Sequence, residues 1–449
     1  MSIITNALSG ILAAQYGQNA TSINIANLMT PGFSRRGVFF STSPSGGVDT
    51  SAMFRYNDIY KDHQLWKSNS DLGEHDTAQT YYDQIETAFG SDTSGVMDNM
   101  GMRELFDALN RASQHPTDSA LRSGVLSAAD SMAKKFNSAL KTMHDQLDAL
   151  EQQRTSSADG VNTLTKQIAD LNKQIAAARS SGQDLNALED ARDQAIDQLS
   201  KLANVQVLDQ GNGTVDVSLA ASGQPLVIGD TAATMSVTRD AQQVQHLTVQ
   251  FGTQTFQVPD DKVGGSLGGL YQFETQTLRP QMQNLVNVAQ QFAQAFNGQL
   301  AAGYDMNGNR GKPLFVFNSG TGTLDIDHSL KWDELAFSAD GTQANTGNLQ
   351  ELLKVKNRNV TLAGIGTVTF GGVEAAIVGK IGAQSKQNKE ACDTAKKVRD
   401  QAEAAWQSES GVNSQEEGVS MEEYLQMSQA NMKCIAIADQ LFQTVLQSI

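Results

Sequence analysis

The sequence predicts a mainly α-helical protein, an elongated helical bundle with a coiled coil built from both chain ends and a small inserted β domain. Three observations support this fold class. Apolar residues recur at alternating steps of three and four over most of the chain, which is the helical rhythm. The period changes to two after Ala203, as it does in strands. Only 39% of the 449 residues are hydrophobic and 6% are aromatic, which is lean for one compact globule.

The first 40 residues contain one helix whose apolar seam is weak. The seam keeps a heptad spacing, but half of its members are small or polar: Ile4, Ala7, Ile11, Ala14, Gln18, Thr21, Ile25 and Leu28. Pro31-Gly32 ends the pattern, as a helix stop should. Since a short helix with such a seam gains little stability alone, we expect it to need a partner.

The last 40 residues repeat the rhythm with a wider apolar face. One seam consists of Met421, Leu425, Ser428, Met432, Ile435, Asp439, Phe442, Leu446 and Ile449. A second stripe lies beside it: Tyr424, Met427, Cys434, Ala438, Leu441 and Val445. We expect the two terminal helices to pair as a coiled coil and to leave apolar surface for other subunits. The alternative is that both are ordinary core helices of a globular domain.

From these two helices we select the residues that should make assembly or partner contacts. They share an apolar side chain on or beside a predicted seam, and they are Ile4, Ala7, Leu8, Ile11, Ile25, Leu28, Leu425, Met432, Ile435, Phe442, Leu446 and Ile449.

The interior continues the helical rhythm on both sides of the β segment. The charged run Glu189, Asp190, Arg192 and Asp193 is interpreted as a solvated, salt-bridged face rather than a site. The predicted organisation is an N-terminal assembly helix (1–40) pairing with a C-terminal assembly helix (408–449), a helical body in two parts (41–203 and 263–385, the second with an irregular segment), a β domain (204–262) and a linking helix (386–407).

The β domain is predicted from short alternating segments. VQVLDQGNGTVDVSL places alternating valines on both sides of a Gly-Asn-Gly turn, which predicts a hairpin. Further strands are expected at TMSVT, HLTVQFG and TFQV, ending at Pro259.

Charge and targeting signals exclude several classes of protein. The net charge of −16 argues against nucleic acid and anionic membrane surfaces as partners. The start of the chain lacks the basic residues and the apolar run of a secretory signal, and no arginine precedes Arg35. No stretch approaches the roughly 18 apolar residues of a membrane span. We therefore expect a chain that is cytosolic or exported without signal cleavage.

No pattern of catalytic or metal-binding residues stands out. The six histidines are scattered, with none within four residues of another. The segment 305–311, DMNGNRG, resembles the start of a calcium loop, but Arg310 replaces the required glycine and Val316 replaces the bidentate glutamate. It is predicted to be a tight Asn-Gly turn. Cys392 and Cys434 are interpreted as packing residues, with a disulfide as the alternative. We predict no enzyme activity, cofactor or metal.

Three short N-terminal segments carry a resemblance to a known family. Ala7-Leu8-Ser9-Gly10, Asn24-Ile25-Ala26-Asn27 and Thr30-Pro31-Gly32-Phe33 resemble the signature of the axial proteins of the bacterial flagellum, which are the rod, hook and hook-associated proteins. Phe33 stands where tyrosine is usual. The C-terminal 40 residues are similar to the matching end of that family. The interior segments LNKQIA, GGSLGGLYQF and AFNGQLAAGYDMNGNRG narrow the resemblance to hook-associated proteins of the hook–filament junction.

The resemblance implies a structural role. Such proteins leave the cell through the flagellar type III export apparatus and self-assemble through their terminal helices in a ring or helical layer. The implied partners are other copies of the chain, the hook protein, hook-associated protein 3 and through it the filament, and an export chaperone, with no nucleic acid and no membrane. The implied location is outside the cell, at the junction.

Two alternatives and one departure accompany this interpretation. A hook protein or another axial component shares the terminal signatures, but a hook protein should be dominated by β domains. A cytosolic enzyme with a helical arm would need a polar constellation that the sequence lacks. The chain is also shorter than many relatives, so we expect an outer surface domain to be reduced or missing between about 315 and 385.

Overall fold

A computed structural model describes residues 3–44, 46–89, 100–241 and 244–448. Its α-helices are, in chain order, α1 (Ile3–Ala26), α2 (Ile59–Phe89), α3 (Met102–Gln114), α4 (Ser119–Ser180), α5 (Asn186–Leu202), α6 (Gly265–Phe273), α7 (Arg279–Ala302), α8 (Gly347–Lys354), α9 (Val373–Ser410) and α10 (Ser414–Ser448). Its strands are β1 (Arg36–Thr42), β2 (Val48–Arg55), β3 (Val205–Asp209), β4 (Val215–Leu219), β5 (Pro225–Ile228), β6 (Thr231–Ala232), β7 (Thr234–Arg239), β8 (Gln245–Phe251), β9 (Gln254–Gln257), β10 (Phe315–Asn318), β11 (Thr323–Ile326), β12 (Asn359–Leu362) and β13 (Gly366–Thr369). The predicted mainly helical fold class is confirmed, with helices at both chain ends and small sheets between them.

The chain forms two compact units, each with its own hydrophobic core. The first unit consists of Met1–Glu74, Thr155–Gly268 and Asp393–Ile449, and the second of His75–Arg154 and Gly269–Cys392. Each unit therefore combines segments that are far apart in the sequence.

Strands β3 to β9 of the first unit form two antiparallel sheets, in the orders β3-β4-β5-β6 and β7-β8-β9. The predicted hairpin is confirmed, since β3 pairs with β4 and Val207 lies opposite Val217. Asn172 of α4 is fully buried and ties the helix to this sheet. Its Nδ2 donates to the carbonyls of Val215 and Gly229, both at 2.7 Å, and its Oδ1 accepts from the Val215 N–H at 3.2 Å.

An additional hairpin, β1–β2, follows α1 in the first unit. Arg36 lies opposite Arg55, and the register shifts between Val38 and Phe40. The sequence predicts a helical body from residue 41, whereas residues 48–55 form strand β2. Phe39 and Phe40 are neighbours, and the bulge that accommodates them breaks the alternation by which a strand is recognised.

Helix α9 also differs from the sequence prediction, because it begins at Val373 and not near residue 386. Gly379 and Gly382 made its first turns look irregular in the sequence. Val373, Ile377 and Ile381 are nevertheless buried in the core of the second unit, at the four-residue spacing of one helix face.

The core of the second unit contains an aromatic cluster around Phe292 of α7. Its ring centroid lies 5.4 Å from those of Phe315 and Phe370 and 5.7 Å from that of Phe296. Two small hairpins, β10–β11 and β12–β13, pack on this core with buried Leu324 and other side chains. The segment from about 315 to 385 therefore supplies core residues to this unit.

The turn between α7 and β10 has the conformation that its sequence predicts. Asp305 Oδ1 accepts from the N–H groups of Asn307 and Asn309, both at 2.8 Å. Gly308 has a positive φ of 79°, which favours glycine. The prediction of a tight Asn-Gly turn at 305–311 is confirmed.

Candidate assembly site

The two terminal helices, α1 and α10, pack against each other in antiparallel orientation within the first unit. Gly10 of α1 faces Asn431 of α10, and Gly17 faces Tyr424. The residue numbers rise along one helix and fall along the other, which gives the orientation. In this contact α1 supplies the glycines and α10 supplies the large side chains.

The buried face of α1 is made of small and polar residues: Ala7, Gly10, Ala13, Ala14, Gly17, Ala20, Thr21 and Asn24. Of the predicted contact residues on this helix, only Ala7 is buried. Ile4, Leu8, Ile25 and Leu28 are exposed and Ile11 is half-buried. Within the single chain, the contact with α10 is made by small residues, of which Ala7, Ala14 and Thr21 belong to the predicted seam, while the larger apolar side chains turn outward. The selection of these residues as assembly contacts stays a prediction.

Most of the predicted contact residues of α10 also face outward. Ile435 is half-buried on the side of Asn431, whereas Leu425, Met432, Phe442 and Leu446 are exposed. Ile449 lies outside the described residues.

Helix α10 extends past the start of α1. Continuing the pairing of Gly10 with Asn431 places Ile3 opposite Ala438, so about ten residues of α10, or roughly 15 Å, lie beyond the first described residue of α1. We call residues 439–448 the overhang. Its large apolar side chains are exposed, with Leu441 at 56%, Phe442 at 62% and Leu446 at 59%.

The β1–β2 hairpin is fastened to α1 at both ends. At the turn, Ser9 Oγ accepts from the Val48 N–H at 3.0 Å. At the base, Asn24 Nδ2 donates to the Arg36 carbonyl at 3.0 Å and Asn24 Oδ1 accepts from the Arg36 N–H at 2.8 Å. Sequence reasoning did not select Ser9 or Asn24 as functional, although both belong to the quoted signature segments. Asn24 is buried and Ser9 is half-buried, and a polar side chain at such a position of a helix is the signal that could have identified them.

We expect Asn24→Leu to release the base of the hairpin from α1. Leucine would leave two buried backbone groups of Arg36 unpaired, at a cost of roughly 1–3 kcal/mol each. Amide hydrogen exchange should therefore accelerate at Arg36 and its neighbours in β1. Asn19→Leu, at an exposed position of the same helix, is the control and should leave this exchange unchanged. Equal exchange in both variants would contradict the fastening role.

A cluster of charged side chains joins the same hairpin to α5. Arg36 pairs with Asp190 at 2.5 Å, and Arg55 pairs with Glu189 at 3.2 Å, with Asp190 at 3.1 Å and with Asp193. The predicted salt bridges are confirmed, but the prediction of a solvated face was wrong, since Asp190 and Arg192 are buried. Burial raises the pKa of Asp190 even though the two arginines act in the opposite direction. The partners come from a distant segment, which the local charge pattern does not reveal.

Arg35 connects the hairpin to the end of α9 and the start of α10. Its N–H donates to the Ser410 carbonyl at 2.7 Å, its Nη1 pairs with Glu416 at 2.8 Å, and its guanidinium lies 4.1 Å from the centre of the Tyr56 ring. Arg35 and Arg36 each have an acidic partner, so they do not form a free basic patch.

Asp62 of α2 lies close to this charged cluster and is only 5% exposed. Its Oδ1 accepts from Trp406 Nε1 of α9 at 2.8 Å. Burial, followed by the negative charge of Asp193, raises the pKa of Asp62 to about 7, although Arg55 and the hydrogen bond from Trp406 act in the opposite direction. This carboxyl therefore titrates near neutral pH.

The described part of the chain shows no group of three or more His, Cys, Asp or Glu side chains that could hold a metal ion. Among the same residues, no helix has both the length and the apolar character needed to cross a membrane.

Comparisons with known proteins agree with this architecture. Flagellar hook-associated protein 1 of Salmonella typhimurium is 26% identical over 333 residues, which are 71% of this chain and 60% of that protein. The protein of the same name from Bacillus subtilis is 24% identical, with 99% of this chain and 98% of that protein covered. The chain thus spans about three fifths of the length of the Salmonella relative.

A solved structure, the flagellar hook junction protein FlgK from Burkholderia pseudomallei, superposes with a TM-score of 0.52 and 31% identity over 57% of this chain and 47% of that chain. Residues 82–315, just over half of the chain, match the family described as the flagellar hook-associated protein FlgK helical domain. The chain belongs to the flagellar hook-associated protein FlgK family.

Proposed function

We propose that this chain is a structural subunit of the bacterial flagellum that joins the hook to the filament. One observation carries the proposal: the chain ends form a helix pair whose large apolar side chains face outward. Among described residues of α1, Ile4, Leu8 and Leu12 are exposed at four-residue spacing. Burying each such side chain is worth roughly 1.5–3 kcal/mol, so contact with further subunits is favourable.

The charge of α1 supports burial of this face in an assembly. The helix Ile3–Ala26 contains no charged residue. Packing it against a neighbour therefore removes no ion from water. A contact between different surfaces of successive copies gives a ring or a helical layer around an axis.

The proposed partners follow from this role. In the assembled flagellum they are other copies of the chain, the hook protein on one side and hook-associated protein 3 on the other, which connects to the filament. Before assembly the partner is a flagellar export chaperone. The chain would leave the cell by type III export and act outside it as a mechanical adaptor without enzymatic activity. The names of its relatives support this placement.

The direct test is deletion of the gene. Cells without this chain should carry hooks that lack filaments and should release flagellin into the medium. Expression of the intact chain should restore filaments. Normal filaments in the deletion strain would contradict the junction role.

Phe442→Asp tests whether the exposed apolar face makes the assembly contact. The variant should fold normally, because Phe442 is exposed in the single chain, but it should not enter the flagellum, because assembly would bury an unpaired charge. Incorporation is measured by immunogold labelling of purified hook–basal bodies, and folding by circular dichroism. Gln447→Asp, which places the same charge on an exposed polar position of the overhang, should still be incorporated. Equal incorporation of both variants would refute the contact.

A further inference from the structure

We propose that Gly10 and Gly17 are positioning residues that allow α1 to pair with α10 in a single register, and that this register sets the length of the overhang. The register itself is inferred from the geometry alone, whereas its value for assembly rests on the proposed function.

The two glycines occupy places where the partner helix leaves no room for a side chain. A Cβ atom on Gly17 would lie 2.5 Å from the ring of Tyr424, and one on Gly10 would lie 2.6 Å from the amide of Asn431. Both distances are well below van der Waals contact. Glycine is a poor residue inside a helix, so its presence at these two positions is explained by the close approach.

The two large side chains are themselves held in place. Asn431 Nδ2 donates to the Met427 carbonyl one turn earlier, at 2.9 Å. The Tyr424 ring packs edge-on against Phe40 of β1, with the ring centroids 6.1 Å apart. Neither side chain can turn away without losing a contact, so the fit between large side chain and glycine is selective.

The spacing excludes the neighbouring registers. The glycines are one heptad apart on α1, and their partners are one heptad apart on α10. A slip of one heptad in one direction would bring Tyr424 to Gly10 but Asn431 to Ile3. The opposite slip would bring Asn431 to Gly17 but Tyr424 to Asn24, whose side chain holds the hairpin. Only the observed register places both large side chains over glycine.

The register matters because it decides how much of α10 projects beyond α1. A slip of one heptad would lengthen or shorten the overhang by about 10 Å, at the helical rise of 1.5 Å per residue. The exposed side chains Leu441, Phe442 and Leu446 would then be displaced relative to the apolar face of α1.

The register can be measured in the purified full-length chain as the distance between two spin labels, by electron paramagnetic resonance. Nitroxide labels are placed at the exposed positions Asn19→Cys and Gln440→Cys after Cys392 and Cys434 are replaced by serine. The labels are about 18 residues apart along the axis, or roughly 27 Å. Ammonium sulfate is added because it strengthens apolar burial. The measurement needs no flagellum, so it can fail or succeed independently of the proposed function.

The parent should give one defined distance, and Gly17→Leu should abolish it, with a shift of about 10 Å or a loss of the defined population. Combining Gly17→Leu with Tyr424→Ala should restore the parent distance, because removal of the tyrosine ring leaves room for the leucine side chain. Gly418→Leu is the matched control, since nothing lies within 4 Å of that glycine on α10, and it should keep the parent distance.

Three results would overturn the inference. They are an unchanged distance in Gly17→Leu, a failure of the double variant to recover it while Gly418→Leu retains it, and a parent chain with no defined distance.

Discussion

Replacing Arg122 by methionine is expected to destabilise the second unit by on the order of 3–5 kcal/mol. Arg122 of α4 is 1% exposed. Its Nε donates to the Trp332 carbonyl at 2.8 Å, its Nη1 to that of Pro116 at 2.7 Å and its Nη2 to that of Leu335. The guanidinium also lies 4.4 Å from the centre of the Phe337 ring. Methionine would fill most of the volume but would take this donor from the carbonyls of Trp332 and Pro116, at roughly 1–3 kcal/mol each. The Leu335 carbonyl would keep the Phe337 N–H, which donates to it at 3.1 Å.

Urea unfolding followed by circular dichroism measures this loss, and hydrogen exchange locates it. Exchange should accelerate near residues 332–337, where two of the three carbonyls lie. Arg111→Met is the matched control, because Arg111 is an exposed arginine on α3 of the same unit. The three carbonyls accept from Arg122, so the loss of Arg111 removes none of these hydrogen bonds. If Arg122→Met unfolds at the same urea concentration as Arg111→Met, the bridging role of Arg122 is wrong.

The features that the sequence predicted well are local ones. The hairpin β3–β4 was found because its two strands alternate cleanly and a Gly-Asn-Gly turn separates them by only a few residues. The long helices were found because the three-four rhythm persists over many turns. In both cases the periodic signal lies within one segment and does not depend on a distant partner.

The contact between α1 and α10 was only partly predictable. A search for apolar seams selects large side chains such as Leu8, whereas the structure buries glycine and alanine and turns Leu8 outward. Glycine carries no hydrophobic signal, so Gly17 becomes informative only when Tyr424 is known to lie against it.

The charged cluster was not predictable for a related reason. The acidic residues of α5 look like a solvated face because their partners are far away in sequence. Arg36 and Asp190 are separated by 154 positions, and Arg55 and Asp190 by 135. A lone sequence shows the charges of each segment but not which distant segment supplies the compensating charge.

Asp62 carries the carboxyl that this cluster leaves uncompensated. The arginines Arg36, Arg55 and Arg192 face the acids Glu189, Asp190 and Asp193, which balances three charges against three. Asp62 interacts electrostatically with Asp193 and Arg55 of this cluster. The adjacent Lys61 pairs with Glu409 at 3.3 Å. A proton on Asp62 keeps the group neutral, which agrees with a pKa raised by burial to about 7.

The first unit should therefore lose stability as the pH rises from about 4 to 7. In this window the folded chain holds a proton on Asp62 that the unfolded chain, with a pKa near 3.8, has already released. Stability falls with rising pH wherever the folded state binds more protons. Asp62→Asn cannot ionise, and its amide oxygen can still accept from Trp406. The variant should thus gain stability over the parent between pH 5 and pH 8, by on the order of 1–3 kcal/mol.

Thermal unfolding of both chains at several pH values, followed by tryptophan fluorescence, measures this gain as the difference in melting temperature. Groups common to both chains cancel in the difference, so the pH dependence that remains belongs to Asp62. Asp71→Asn is the control, because Asp71 lies on the same helix and is exposed beside Lys67 at 3.6 Å. This variant also removes one exposed carboxyl from the helix, and it should not reproduce the gain of Asp62→Asn. Parallel pH profiles for Asp62→Asn and the parent would show that the Asp62 carboxyl is already ionised in the folded chain. Another acid of the cluster would then have to carry the proton.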